Sequence, residues 1–185
     1  MYKRQAFYLR PRLPQLDSCL RLVFPGSSFS VGSAQVTVFA TSHDAGESVD
    51  YRVDCGDAAV GILTDTGFVP EPAAAALTGV DLLVLESNHD VEWLRSGPYP
   101  YSLKQRILGQ RGHLSNEDAA AFARRMAECG TRCIVLAHLS RENNTPQRAL
   151  AVMETALSGL DVTVEVAPRG ELSACYGAEV ALCRK

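Results

Sequence analysis

Apolar and polar positions divide the chain into two regimes. In the first, short β-branched stretches alternate with polar residues. Gln35–Thr41 (QVTVFAT) alternates in this way and predicts a strand. Val49–Val53 and Ala58–Leu63 predict a hairpin around Cys55-Gly56-Asp57, and Leu20–Phe24 is an earlier apolar run ended by Pro25-Gly26. In the second regime the runs are almost unbroken. Val80–Glu86 (VDLLVLE) and Cys133–Ala137 (CIVLA) carry the signature of strands buried on both faces. Val162–Val166 alternates again, and Leu172–Tyr176 predicts a last short strand.

Helix signals lie between these runs. Pro70–Leu77 is Ala-rich with Pro near its start. Asp90–Arg95 and Ser102–Leu108 predict short helices. Ser115-Asn116-Glu117-Asp118 has capping-box spacing and opens a helix to about Glu128. Thr145-Pro146 places an N-cap residue before a helix-starting proline, for a helix to about Leu157. Antiparallel strands followed by strand–helix alternation predict an α/β layered domain. Ligands in such sheets sit beyond the strand ends. There is no internal repeat, low-complexity tract or interdomain linker.

Composition narrows this little. The chain has 185 residues, 46% hydrophobic and 21% charged, which suits one globular domain. No apolar run reaches the roughly 20 residues that span a bilayer. Met1–Arg12 lacks the apolar core of a signal peptide. The formal net charge of −3 gives no global argument for nucleic acid. Six cysteines form no CxxC pair, so they read as reduced, mostly buried thiols of a cytoplasmic protein. Residues 1–19 read as an artefactual or disordered start. Met1-Tyr2-Lys3-Arg4-Gln5 is similar to a translated transposon-end adapter, which predicts a reading frame that opens inside a gene.

The candidate chemistry lies in four histidines. His43 follows the first predicted strand, and His138 follows Cys133–Ala137. His89 lies three residues beyond Glu86, and His113 precedes a helix N-terminus. Asp65 follows the strand ending at Leu63. Adjacent strands lie about 4.8 Å apart, so residues at their ends can meet around one ion. Neutral imidazoles with a carboxylate suit Zn²⁺, Mn²⁺ or Fe²⁺. Taken singly, each is an ordinary turn or core residue; taken together, they are candidates for a metal site.

The order of motifs adds to this. Thr41-Ser42-His43-Asp44-Ala45, Thr64-Asp65-Thr66-Gly67, Leu85-Glu86-Ser87-Asn88-His89-Asp90, Gly112-His113-Leu114-Ser115-Asn116 and Leu136-Ala137-His138-Leu139-Ser140-Arg141-Glu142-Asn143-Asn144 follow one another. Across roughly residues 20 to 178 this series resembles the metallo-β-lactamase superfamily. It is most similar to the YycJ (WalJ) group, akin to tRNase Z and the RNase J enzymes. The resemblance implies the C-terminal part of an αββα sandwich, with residues 20–185 as a partial domain. It implies a dinuclear centre of two divalent ions, zinc or manganese, and nuclease activity on nucleic acid, DNA above all. The family's His-x-His-x-Asp-His loop is absent from this sequence, which implies an N-terminal truncation.

By the same resemblance His43, Asp65 and His138 are metal ligands, with Asp65 bridging. His113 binds the scissile phosphate or protonates the leaving oxygen, and Glu86 or Asp90 holds its tautomer. Ser115 and Asn116 belong to the loop that receives the phosphate. Two readings stand for His89, a site role and a local structural one. Asn88, Ser140, Asn143 and Asn144 either line the pocket or bond within their loops. Lys104, Arg106 and Arg111 either touch a phosphate backbone or form a solvated face. Gly97–Gln110, mixing aromatic and basic residues, is the local candidate for nucleic-acid contact. Two other functions fit the same residues: an ester, thioester or amide hydrolase of this fold, and a non-catalytic fragment. Three ligands shared between two ions predict weak metal binding, and a missing half-sandwich predicts an exposed apolar sheet face.

Overall fold

The computed structural model describes residues 11–13 and 21–171. Seven strands form one sheet in chain order: β1 (Ser28–Val31), β2 (Ala34–Ala40), β3 (Val49–Cys55), β4 (Ala58–Leu63), β5 (Leu82–Glu86), β6 (Cys133–Ala137) and β7 (Thr163–Val166). The first four pair antiparallel, and β4 to β7 pair parallel. The expected switch from hairpins to crossovers is therefore the architecture of the sheet. Cys55 pairs with Ala58 across Gly56-Asp57, and Gly56 takes φ +61°, which a side chain resists.

Among the described residues five helices fill the connections: α1 (Glu71–Leu77), α2 (Val91–Ser96), α3 (Tyr101–Ile107), α4 (Asn116–Glu128) and α5 (Pro146–Ala156). The caps read from the sequence form. Ser115 Oγ accepts from Asp118 N, Thr145 Oγ1 from Arg148 N, and Asp90 from Trp93 N.

Strand periodicity sends alternate residues to opposite faces. Leu83, Leu85, Ile134 and Leu136 join Leu63, Leu77, Leu114, Met126 and Met153 in the main core beneath α1, α4 and α5. Each such buried side chain stabilises the fold by about 1.5–3 kcal/mol. The intervening residues Leu82, Cys133 and Val135 form a smaller apolar cluster with Val60, Val84 and Ala167. No helix among the described residues is long and apolar enough to cross a membrane.

Two points depart from the sequence pattern. In the apolar run before Pro25-Gly26 residues 21–24 are irregular, and the sheet's edge strand is the more polar Ser28–Val31. That strand exists through its pairing with β2, not through its own pattern. Of the three described cysteines only Cys133 is buried; Cys55 sits at the hairpin turn and Cys129 at the end of α4, both exposed. The strand expected at Leu172–Tyr176, and the start at residues 1–10, lie outside the described residues.

Candidate metal centre

Strand direction gathers the site. β4, β5 and β6 are parallel neighbours, and β2 runs the same way because two antiparallel pairings separate it from β4. Their carboxyl ends therefore share one sheet edge, where His43, Asp65, Glu86 and His138 follow or close the strands. His113 joins them from the loop before α4. Asp65 (φ 49°) and His138 (φ 57°) are the non-glycine residues with left-handed backbone among those described. Such conformations cost about 1–3 kcal/mol each and gather at functional sites.

Asp65 Oδ1 lies among three imidazoles. It is 3.7 Å from His43 Nε2, 3.8 Å from His113 Nδ1 and 3.7 Å from His138 Nδ1. The rings stand in a row, 5.0 Å from His43 to His113 and 5.2 Å from His113 to His138. Beneath them is Glu86, fully buried. Its Oε1 accepts from Nδ1 of both His113 (2.7 Å) and His138 (2.6 Å), and its Oε2 accepts from Thr66 N and Leu114 N. Burial alone would push this carboxyl up, but the bonds from the two histidines outweigh it and hold Glu86 below the usual range. The same hydrogen bond to Glu86 raises His138, against the opposing effect of burial.

A carboxylate oxygen can only accept, so both rings must carry their proton on Nδ1. His43 Nδ1 likewise donates to the Gly112 carbonyl at 3.1 Å. All three imidazoles are thus fixed to present Nε2 outward, as orienting partners do for metal-binding histidines. The donor chemistry, imidazole nitrogen with carboxylate oxygen, fits a divalent transition ion. Asp65, Glu86, His113 and His138 each offer an atom within 4.8 Å of the others. That group differs from the expected His43, Asp65 and His138 by including Glu86 and His113 and by leaving out His43. Glu86, with four donors on its two oxygens, is placed as the orienting member.

The loops around the site are tightly stitched. Asp50 is buried and pushed up to about 6 by that burial; it accepts from Thr64 N and so anchors the turn that carries Asp65. Thr66, fully buried, accepts from Ser42 N and joins the His43 loop to the Asp65 loop. A Cβ at Gly112 would run into the Ile107 carbonyl, and one at Gly67 into Gln110. Thr66, Gly67 and Gly112 were not singled out by sequence reasoning. Their signal was position alone, as small residues beside a candidate ligand.

The remaining candidates separate into two groups. Asn88 and Ser140 line a pocket with His43, His113 and His138. Asn88 also donates to the His138 carbonyl at 2.8 Å, steadying its left-handed backbone. Ser115, Asn116, Asn143 and Asn144 are buried, and Asn116 and Asn144 bond to each other beneath the site. In this geometry they shape the loops and offer no open surface to a ligand. His89 is 1% exposed, neither ring nitrogen has a hydrogen-bond partner, and burial lowers it to about 4. It packs as a neutral core ring. Asp90 caps α2 and pairs with Arg148, leaving Glu86 as the partner of His113. The expected basic phosphate contacts are engaged within the protein. Lys104 donates to the Arg95 and Gly97 carbonyls, Arg106 pairs with Asp44, and Arg111 donates to the His43 carbonyl.

Comparison with known proteins agrees with this arrangement. The model of the beta-lactamase superfamily domain matches residues 7–139. The chain belongs to the metallo-β-lactamase superfamily. It is 41% identical over 155 residues to the exodeoxyribonuclease WalJ of Streptococcus pneumoniae, covering 83% of this chain and 58% of that protein. It is 41% identical over 124 residues to the exodeoxyribonuclease YycJ of Bacillus anthracis, covering 67% of this chain and 47% of that one. The chain thus spans about half the length of these relatives. Among solved structures, the metallo-β-lactamase fold protein YhfI of Bacillus subtilis superposes with a TM-score of 0.59 at 18% identity, over 85% of this chain and 59% of YhfI. Zinc-bound PqqB of Methylobacterium extorquens superposes with a TM-score of 0.52 at 17% identity, over 80% of this chain and 52% of PqqB. The superfamily fold accounts for the α/β sheet.

Proposed function

We propose that this chain carries part of the catalytic site of a metal-dependent nuclease that hydrolyses phosphodiester bonds in DNA. The observation behind the reading is the convergence of three oriented imidazoles on Asp65, with Glu86 holding two of them. The two exodeoxyribonuclease relatives direct that chemistry to DNA. His43, Asp65 and His138 would hold two divalent ions, zinc or manganese, alongside ligands beyond these three. Bound there, the ions would supply Lewis-acid stabilisation to a phosphodiester.

The chain's own residues do the rest. Glu86 accepts the Nδ1 proton of His113 and leaves its Nε2 facing the pocket. As the imidazolium, with Nδ1–H on Glu86 and a second proton on Nε2, His113 passes that second proton to the oxygen that departs from phosphorus. Asn88 and Ser140 line the approach. With so few ligands, this chain alone is expected to bind metal weakly.

The test uses the full-length gene product. DNA hydrolysis that is abolished by chelation, restored by zinc or manganese, and lost in His113→Ala supports the reading. Hydrolysis of nitrocefin or a thioester without any cleavage of DNA would sink it in favour of a small-molecule hydrolase.

A further inference from the structure

The pocket beside the histidine row has two unlike sides. His43, His113, His138, Asn88 and Ser140 make one polar; Tyr99, Leu103, Ile107 and Leu139 make the other largely apolar, with Arg106 also lining it. Three of those four apolar residues come from the segment leading through α3. These side chains are half-buried, so they keep surface to offer. The cleft holds about 320 Å³, at the small end of sites that enclose a small molecule, which is room for one nucleotide and not for a duplex.

The basic residues of that segment do not reach into the cleft as free charges. Lys104 is spent on the carbonyls that end α2, Arg106 on Asp44, and Arg111 on the His43 carbonyl. The wall therefore meets its ligand with apolar surface, one aromatic ring and Arg106 in its pair with Asp44. The wall is also held in place: Ser42 Oγ donates to the Gln110 carbonyl, Gly67 N donates to the Ser42 carbonyl, and Gly67 and Gly112 pack with no room for a side chain. Such a surface needs little ordering when a ligand arrives.

Resting on the nuclease reading above, we infer that Tyr99, Leu103 and Ile107 seat the base of the nucleotide whose phosphate faces the histidines. Stacking and apolar contact tolerate any base, because every base has a π-face, so the seat holds a strand end without reading its sequence. The segment named in the sequence as a nucleic-acid contact thus works through its apolar residues, and its basic ones fasten it down.

The experiment compares dTMP with 2-deoxyribose 5-phosphate on this chain, with and without manganese, by methyl NMR. Expected are ring-current shifts at the Leu103 and Ile107 methyls with dTMP alone. The affinity for dTMP is expected to be at least about tenfold greater, and that margin should vanish in Leu103→Ala and Tyr99→Ala while Tyr99→Phe retains it. Thermal melts establish that each variant is folded, and the wild-type comparison stands without them. Equal affinities, shifts at other methyls, or no binding of either compound overturns the seat. DNA cleavage by the full-length product is measured in parallel. Its absence overturns the nuclease reading, while cleavage with equal affinities overturns the base seat alone.

Discussion

Replacing Glu86 by glutamine tests the centre most directly. The carboxylate takes four hydrogen bonds, two on each oxygen. An amide has one oxygen and one NH2 group. The backbone donors Thr66 N and Leu114 N cannot change their nature, so the amide oxygen must face them. The NH2 group then faces two Nδ1 atoms that also carry protons. The conflict resolves if both rings move their proton to Nε2 and accept at Nδ1. Bonds to a charged group contribute about 1 kcal/mol more than neutral ones, so four of them lose on the order of 4 kcal/mol. Relief from burying a charge offsets part of this, leaving about 2 kcal/mol. Function suffers more, because Nε2 of His138, the ring proposed as a metal ligand, is then protonated and has no lone pair for an ion. Removing such an orienting partner costs about 10- to 100-fold in metal affinity, here through His138. Long-range proton–nitrogen correlation spectra of the histidine side chains read the tautomers without any metal. Urea denaturation gives the stability, and competition with a chromophoric chelator gives zinc affinity in the full-length protein. If His113 and His138 in Glu86→Gln keep their proton on Nδ1 and zinc affinity changes less than about threefold, Glu86 does not set the rings.

Two further outcomes follow. His89 falls from 6.5 to about 4 through burial. Unfolding therefore takes up a proton between those values, and stability falls as pH drops from 6.5 to 4, by up to about 3 kcal/mol. Asp50, raised from 3.8 to about 6, acts oppositely and regains stability as pH falls through 6. The wild type should show a shallow slope from pH 6 to pH 4, whereas His89→Leu should become more stable toward pH 4; identical slopes in urea denaturation would refute the assignment. Gly112→Ala should destabilise by about 2 kcal/mol and misplace His43 and His113, because its Cβ meets the Ile107 carbonyl. Melting shows the first effect and the His43 Nδ1 chemical shift shows the second; an unchanged shift would mean that the loop gives way without cost.

Much of this was legible where the signal is local. The Ser115 and Thr145 caps, the apolar run of β5 and the Gly56 turn each depend on neighbours a few residues away. Strand ends were legible too, and so was the meeting of His43, Asp65 and His138 at one edge. Signals that depend on distant pairing were not. The edge strand Ser28–Val31 is defined by hydrogen bonds to β2, and its own exposed, polar pattern says little. Glu86 was readable as a partner for His113, but its second bond, to His138, depends on the register of Glu86 beside Ala137 in the parallel pair. The fate of Lys104 and Arg106 turned on carbonyls and a carboxylate that composition does not locate. His89 read as a candidate because it lies three residues past a strand end; there the chain has already turned inward.

The left-handed backbone at Asp65 and His138 bears on how such a protein changes over generations. Glycine accepts that conformation without strain, so at these two positions relaxing the fold and keeping the chemistry are opposed. A lineage released from the need for catalysis should shed these side chains early, because their loss brings the backbone relief. A lineage that retains both is still being held to the reaction.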